Sequence, residues 1–370
     1  MKKLIVCCSI VLLSMLNFSR SYSCTGIRLK AKNGAVVYAR TLEFGIPLPS
    51  TAVVVPRGYL FMAFGADNNK NGMAWKSKYA FAGVNAAGKE IIMDGVNEKG
   101  LGAGAFYLAG FAGYQDVPAA EVSKSISSVD VVGWLLSNFA NVEEVKQGIG
   151  SIKVNKAVVA QLSPTPVPLH YNVHDAQGNA IVIEYVGGEL HVYDNPLGVL
   201  TNSPTFDWHM TNLRNYVNLS PVDVPPATLE GIAFKQTGLG SGLLGLPGDF
   251  TPPSRFVRAV AYSQSSVPAE NAEEAVDQAF HILNAFDIPK GVVRNANETQ
   301  HEYTLWTSAS DLQNKRFYFH TYRNREVQVI DLMKMNINGK NIITFDMDEP
   351  QSIETLTSGT VLKSSTKKRK

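Results

Sequence analysis

Beyond residue 23 this chain has a single cysteine, Cys24, in the remaining 347 of its 370 residues, so no disulfide within one chain can staple the fold. Burial of apolar surface has to hold it together instead. With 45% hydrophobic, 9% aromatic and 18% charged residues there is ample material for a large core. The same balance excludes a disordered acidic tail, a collagen-like fibre and a disulfide-stapled miniprotein. The other two cysteines, Cys7 and Cys8, belong to a segment of different character. Lys2 and Lys3 precede an apolar run from Leu4 to about Phe18, which gives way to Ser21-Tyr22-Ser23. That charged, apolar, small-residue order predicts a secretory signal over residues 1–23 and an exported protein, periplasmic or extracellular. The apolar run is too short for a spanning helix and no later stretch approaches 18 apolar residues, so no membrane span is expected.

Charge argues against a nucleic-acid partner. Of the 34 Lys and Arg, eight lie in residues 1–23 and in the tail 363–370, where there is no acidic residue, leaving 26 against 32 in the body, or about −6. A nucleic-acid binder carries its basic face on the folded part, not only on a terminal run. The tail 363–370 is expected to be basic and disordered, and residues 24–362 to form one domain.

Cleavage after Ser23 would make Cys24 the first residue of the mature chain. A lone cysteine elsewhere would read as a packing residue; at this position it needs more. It is either an anchor for lipid or a nucleophile activated by its own α-amine. The anchor reading asks for an aliphatic residue three positions upstream, where this chain has Ser21, with the aromatic Tyr22 after it. For the nucleophile, an α-amine titrating at about 7.7–8.0 takes the proton of a thiol titrating at about 8.5, directly or through a water, and no histidine is required. The two readings exclude each other, because lipoprotein processing acylates that same amine.

The body alternates strand-like and helix-like stretches. Cys24–Leu29, the turn Lys32-Asn33-Gly34 and Ala35–Thr41 predict a β-hairpin. Further strands are expected at Thr51–Val55, Tyr79–Val84, Glu90–Met93, Leu169–His174, Ala180–Glu184, Glu189–Tyr193 and Val199–Thr201, the central ones as an antiparallel meander. Helical periodicity marks Val129–Phe139 with Ser127 or Ser128 as cap, Val142–Ile149 after Asn141, Ser254–Tyr262 and Ala272–Phe286. Strands return over Tyr303–Leu332 around a turn at Asp311–Asn314. Strands, helices, strands, helices and strands in that order predict a layered α+β protein rather than a doubly wound one.

Sixteen residues after Cys24, on the return strand of the hairpin, stands Arg40, and three further on Glu43. Paired strands lie about 5 Å apart, so Arg40 can stand beside the thiol and favour its thiolate, while Glu43 can hold the terminal ammonium. On spacing alone an ordinary surface Arg/Glu pair, worth under about 1 kcal/mol, is the more economical reading.

Longer motifs decide between these. Cys24-Thr25-Gly26 with Arg40-Thr41-Leu42-Glu43 is followed by Asn97-Glu98-Lys99-Gly100-Leu101, by the run Gly198 to Phe206 (GVLTNSPTF), and by the run Gly245 to Phe256 (GLPGDFTPPSRF). In this order they resemble the choloylglycine hydrolase family of N-terminal-nucleophile hydrolases, which contains bile salt hydrolases and penicillin V acylases. The resemblance extends over nearly all of residues 24–345. It implies an α+β fold, a four-layer αββα sandwich with two antiparallel sheets faced by helices, often assembled as a homotetramer. By position, Cys24 matches the nucleophile, Arg40 its neighbouring guanidinium, Asn202 a polar anchor for the amide or the oxyanion, and Arg255 a second arginine that stabilises charge in the transition state. Amide hydrolysis needs such a set: a nucleophile, a proton carrier, and donors aimed at the developing oxyanion. Without the resemblance, Asn202 reads as a turn residue before Ser203-Pro204 and Arg255 as an arginine opening a helix.

This chain departs from the family pattern twice. Glu43 stands where an aspartate is usual near the amine. Tyr107 stands where many bile salt hydrolases have an oxyanion-hole asparagine and penicillin V acylases a tyrosine; its phenolic O–H is also a donor. The blocks around Asn202 and Arg255 read more closely like bile salt hydrolases, and the apolar, loop-like Gly45–Ser50 and Tyr59–Gly65 suit a steroid-sized pocket. The expected partner is therefore a small molecule, a conjugated bile salt or, as the alternative, penicillin V or another acyl amide. A lipid-anchored binding protein without catalysis is the rival from another class. No cofactor and no metal are expected. His170 and His174 lie four apart on an expected strand without further ligands, and the run Gly240 to Gly245 matches G-x-G-x-x-G with no strand before it.

Overall fold

The computed structural model describes residues 22–358. The expected leader, apart from Tyr22 and Ser23, and the expected basic tail 363–370 lie outside the described residues.

The turn chemistry of Lys32-Asn33-Gly34 sets the first pairing. Gly34 takes a φ of +88° that favours glycine, and the Ala31 N–H closes on the Ala35 carbonyl at 2.8 Å. The strands Tyr22–Lys30 and Val36–Phe44 run antiparallel from there, with Ser23 opposite Glu43, Cys24 opposite Leu42 and Gly26 opposite Arg40. The first strand begins two residues ahead of Cys24, because the ladder to Glu43 and Phe44 continues past the cysteine.

Two large sheets result, and every pairing within them is antiparallel. One carries, in spatial order, Tyr22–Lys30, Val36–Phe44, His301–Asp311, Arg316–Thr321 and Gln328–Asp331, with the short Val293–Arg294 against the third. The other has eight strands: Glu189–Asp194, Ala180–Val186, Leu169–His174, Gly102–Tyr107, Ile91–Asn97, Phe81–Ala86, Thr51–Val55 and Ile343–Asp346. Helices Pro252–Ser265 and Ala272–Leu283 cover the outer face of the first sheet; Val131–Asn138 covers the second. This is the expected αββα order. The core lies between the sheets and under both helical layers, and strands there read as continuous buried runs, as in Val36–Phe44 and Phe81–Ala86.

Helix starts follow the side-chain chemistry. Asn141 and Asn271 each accept the N–H three residues on, at 2.9 and 3.0 Å, and Ser127 with Asp130 forms a capping box before Val131. Among the described residues no helix is long and apolar enough to cross a membrane.

Val199–Thr201 is not a strand. Gly198, at φ +69°, turns the chain out of the ladder, and Leu200 alone pairs with the first strand, as an isolated antiparallel bridge that exchanges both hydrogen bonds with Gly26 at 2.8 and 3.1 Å. That bridge, continued two residues along in the antiparallel sense, carries Asn202 to Cys24.

Candidate active site

Alternation along a strand sorts the site into two faces. Cys24 and Gly26 point toward the second sheet together with their register partners Leu42 and Arg40; Thr25, Thr41 and Glu43 point the other way, toward the helix that carries Arg255.

On the inner face Arg40 is fully buried. Its Nη1 donates to the Ala105 carbonyl at 2.6 Å, and its Nη2 lies 2.9 Å from the Cys24 sulfur. Phe106 sits 4.2 Å below the guanidinium carbon and Trp306 lies 5.2 Å away, so the cation is fixed by ring faces as well as by hydrogen bonds. Gly26 makes this possible: a Cβ there would stand 2.7 Å from Phe106 Cζ. Behind Arg40, Asp94 accepts from Ser308 at 2.6 Å; burial raises its carboxyl to about 6 against the opposing pull of Arg40.

The sulfur itself is buried, and burial raises its pKa above the ordinary thiol value. Arg40 is the strongest force in the opposite direction; Glu43 adds to the rise, and Arg255 and the main-chain N–H of Tyr107 oppose it more weakly. The guanidinium acts as expected, toward the thiolate, yet desolvation outweighs it in the chain that still carries Ser23.

On the outer face Arg255, also fully buried, spans the cysteine. Nη1 donates to the Cys24 carbonyl at 2.5 Å and to Thr25 Oγ1 at 2.9 Å, Nη2 to Asn202 Oδ1 at 2.7 Å, and Nε to the Phe250 carbonyl at 2.9 Å. Asn202 is held at both ends of its amide. Oδ1 also accepts from the Cys24 nitrogen at 2.7 Å, and Nδ2 donates to the Tyr107 carbonyl at 2.9 Å. Tyr107 therefore meets the site through its peptide: its N–H faces the sulfur, its carbonyl holds Asn202, and its ring packs edge-on against Phe44.

Glu43 stands opposite Ser23 and accepts from Thr304 at 3.2 Å. Burial pushes its carboxyl up to about 8, with Arg255 and Thr41 opposing and Glu302 adding to the rise. The structure thus gathers Cys24, Arg40, Tyr107, Asn202 and Arg255 around one residue, with Glu43 behind the peptide bond that precedes it.

Asp94 and Thr304 carry no motif. A charged residue inside the apolar run Ile91–Asn97 was the available signal for Asp94; Thr304 reaches Glu43 only through a bulge at Leu305, which no pattern announces.

Cys24, only 3% exposed, opens into neither of two nearby cavities. One of about 310 Å³ is walled by Pro47–Ser50, Tyr303, Trp306 and Tyr322, with Trp306 linking it to Arg40. Another of about 610 Å³ takes Tyr59 and Phe64 from the second expected loop. His170 faces Glu184 and the Thr201 carbonyl, and His174 stacks on Tyr38 at 4.5 Å, so the two do not converge. Among the described residues no cluster of three or more His, Cys, Asp or Glu is placed to hold a metal ion. Gly240 and Ser241 donate their N–H groups to Asp223 in a short loop, not to a helix-borne phosphate site.

Two antiparallel sheets between helical layers, with a cysteine on the first strand held by two arginines and an asparagine, define an N-terminal-nucleophile hydrolase sandwich and an amidohydrolase. Residues 24–345 match the linear amide C–N hydrolases, choloylglycine hydrolase family, and the chain belongs to that family. It is 34% identical over 336 residues to a bile salt hydrolase/transferase of Clostridium perfringens, covering 89% of this chain and 98% of that one. The structure of a conjugated bile acid hydrolase from the same organism superimposes with a TM-score of 0.80 at 32% identity, over 90% of this chain and 99% of the other. A penicillin V acylase of Pectobacterium atrosepticum is 28% identical over 310 residues, 76% of this chain and 74% of its own.

Proposed function

We propose that removal of the residues before Cys24 frees its α-amine, and that the resulting enzyme hydrolyses the amide joining a bile acid to glycine or taurine through an acyl-Cys24 intermediate. The amine takes the thiol proton and the thiolate attacks the amide carbonyl. The Tyr107 N–H, already directed at the sulfur, and the Asn202 carboxamide beside it receive the oxyanion as the tetrahedral intermediate forms. The protonated amine returns its proton to the leaving nitrogen, the C–N bond breaks, and the amino acid departs. Water then attacks the thioester and releases the acid; an amine in place of water gives transfer.

One observation carries this reading. The sulfur and the nitrogen of the same residue are held by different fixed partners, Arg40 at 2.9 Å and Asn202 at 2.7 Å, on a strand where the family match begins at residue 24. A lipid anchor needs neither contact. The near-complete coverage of bile salt hydrolase relatives favours conjugated bile salts. Tyr107 and the more distant acylase favour penicillin V as the second reading.

Intact mass of the mature protein, combined with turnover of taurocholate, glycocholate and penicillin V, tests the proposal. A bare Cys24 at the terminus with bile salt turnover is the expected result. A lipid adduct on Cys24, or full activity of Cys24→Ala, would sink it. Export and a homotetramer belong to the same proposal, the second checked by light scattering on the purified enzyme.

A further inference from the structure

Three buried side chains that the mechanism does not use converge on the two peptide units presenting Asn202. His170, on the strand Leu169–His174, has Nε2 3.2 Å from the Thr201 carbonyl oxygen and Nδ1 2.9 Å from Glu184 Oε1. The same Glu184 oxygen accepts the Phe206 N–H at 3.0 Å. One carboxylate therefore ties the strand Ala180–Val186 to both ends of the segment 201–206. The third is His209, on the helix Phe206–Asn212. Its Nε2 lies 2.8 Å from the Asn202 carbonyl oxygen, and its ring stacks flat on Phe256 with centroids 4.7 Å apart.

The chemistry of these contacts is constrained. A carbonyl only accepts, so His209 carries its proton on Nε2; burial lowers its pKa to about 4, and the ring is neutral near pH 7. His170 meets an acceptor at each nitrogen, so both contacts are made only when the Glu184–His170 pair holds two protons between them.

Their location gives them consequence. The segment 201–205 lies outside every strand, so its buried carbonyls depend on side chains for partners. Its orientation in turn aims the Asn202 carboxamide, which holds the Cys24 nitrogen on one side and the Tyr107 carbonyl on the other. Phe256 follows Arg255 on its helix, so the stack on His209 ties the helix whose Arg255 reaches Asn202 Oδ1 to the helix Phe206–Asn212 that continues the segment 201–205.

We propose that His209, backed by the Glu184–His170 pair, is a positioning residue for the reaction at Cys24, acting by fixing the Asn202 peptide. The inference rests on the reading of Cys24 as nucleophile with Asn202 as its partner.

The test is a double-mutant cycle in the mature enzyme, on whichever of taurocholate, glycocholate and penicillin V it hydrolyses fastest. His209→Leu keeps bulk and removes the donor; His209→Gln returns an N–H at similar reach. His209→Leu is expected to lower kcat about 10- to 100-fold with KM changed less than about twofold, and His209→Gln to recover most of kcat. In an Asn202→Ala background His209→Leu should have little further effect on kcat, because the residue acts through Asn202. The same loss in both backgrounds, no loss at all, or a loss that glutamine does not recover would overturn the proposal. Turnover by Cys24→Ala, or wild-type kcat in Asn202→Ala, would show instead that the underlying site reading is wrong, and would remove the basis for this inference with it.

Discussion

Arg255 donates to the same Asn202 oxygen that accepts from the Cys24 nitrogen, and both contacts measure 2.7 Å. A guanidinium on that oxygen prevents the carboxamide from turning over, because an amide N–H₂ placed there would face two donors. The nitrogen that is to become the base is thereby given one orientation.

Arg255→Lys should accordingly be a poor substitute. A lysine keeps the charge but offers no planar fork to reach the Cys24 carbonyl, Thr25 Oγ1 and Asn202 Oδ1 together. A loss of about 100-fold in kcat/KM is expected, measured by steady-state kinetics alongside a melting curve. Near wild-type activity would show that the shared oxygen does not matter to turnover.

Arg40 is the main force lowering the Cys24 pKa, opposing burial. Removing it in Arg40→Leu should move the thiol further up, so that less thiolate is present at pH 7.5 and alkylation of Cys24 by iodoacetamide slows by about tenfold for every pH unit the thiol rises. The pH dependence of that rate separates this effect from altered access. A displaced profile of unchanged shape is expected; a uniformly lower rate with the wild-type midpoint would refute it.

Much of this geometry could be read from the sequence, and the residues that could not are instructive. Lys32-Asn33-Gly34 declared the hairpin, which put Arg40 within reach of Cys24, while spacing alone left an ordinary surface Arg/Glu pair as the more economical reading. Leu169–His174 was legible to the residue because its pattern and its bounding turns agree. Gly102–Tyr107 escaped because its small residues answer to tertiary crowding: a Cβ at Gly104 would stand 2.2 Å from Tyr38 Oη. Val199–Thr201 misled because a buried apolar run looks the same whether it forms a full ladder or a single bridge, as Leu200 does with Gly26. Asn202 and Arg255, 178 and 231 positions from Cys24, have no local signal, and only the resemblance pointed to them. Tyr107 suggested a phenolic donor, whereas the structure brings its peptide to the sulfur.

Gly26 is a sharp case of sequence answering to packing. With Phe106 Cζ 2.7 Å from any added Cβ, Gly26→Ala must displace the ring that lies under Arg40. The substitution is expected to destabilise the protein by about 1–3 kcal/mol and to lower turnover, since Phe106 and the Arg40 guanidinium move together. Thermal melts and kinetics on the same preparation check both effects. An unchanged Tm would mean that the ring yields freely.

Glu43 gives a pH signature. Burial raises its carboxyl from an ordinary 4.5 to about 8, so the folded chain with Ser23 attached holds a proton that the unfolded chain gives up. Stability from this group is complete below about pH 4.5 and declines as pH rises toward about 8. Asp94, raised to about 6, loses its own contribution lower in the range, and His209, lowered to about 4, affects only more acidic conditions, so the interval from about pH 6.5 to 8 isolates Glu43. Glu43→Gln, neutral throughout, should flatten the decline in Tm across that interval, each ~1 kcal/mol counting for roughly 2 °C in a chain of this size. Once Ser23 is removed, an ammonium at Cys24 favours the Glu43 carboxylate and pulls its pKa back down, so the mature enzyme should show a shallower decline than the uncleaved chain. Identical pH profiles for uncleaved and mature protein would mean that Glu43 does not sense the new terminus.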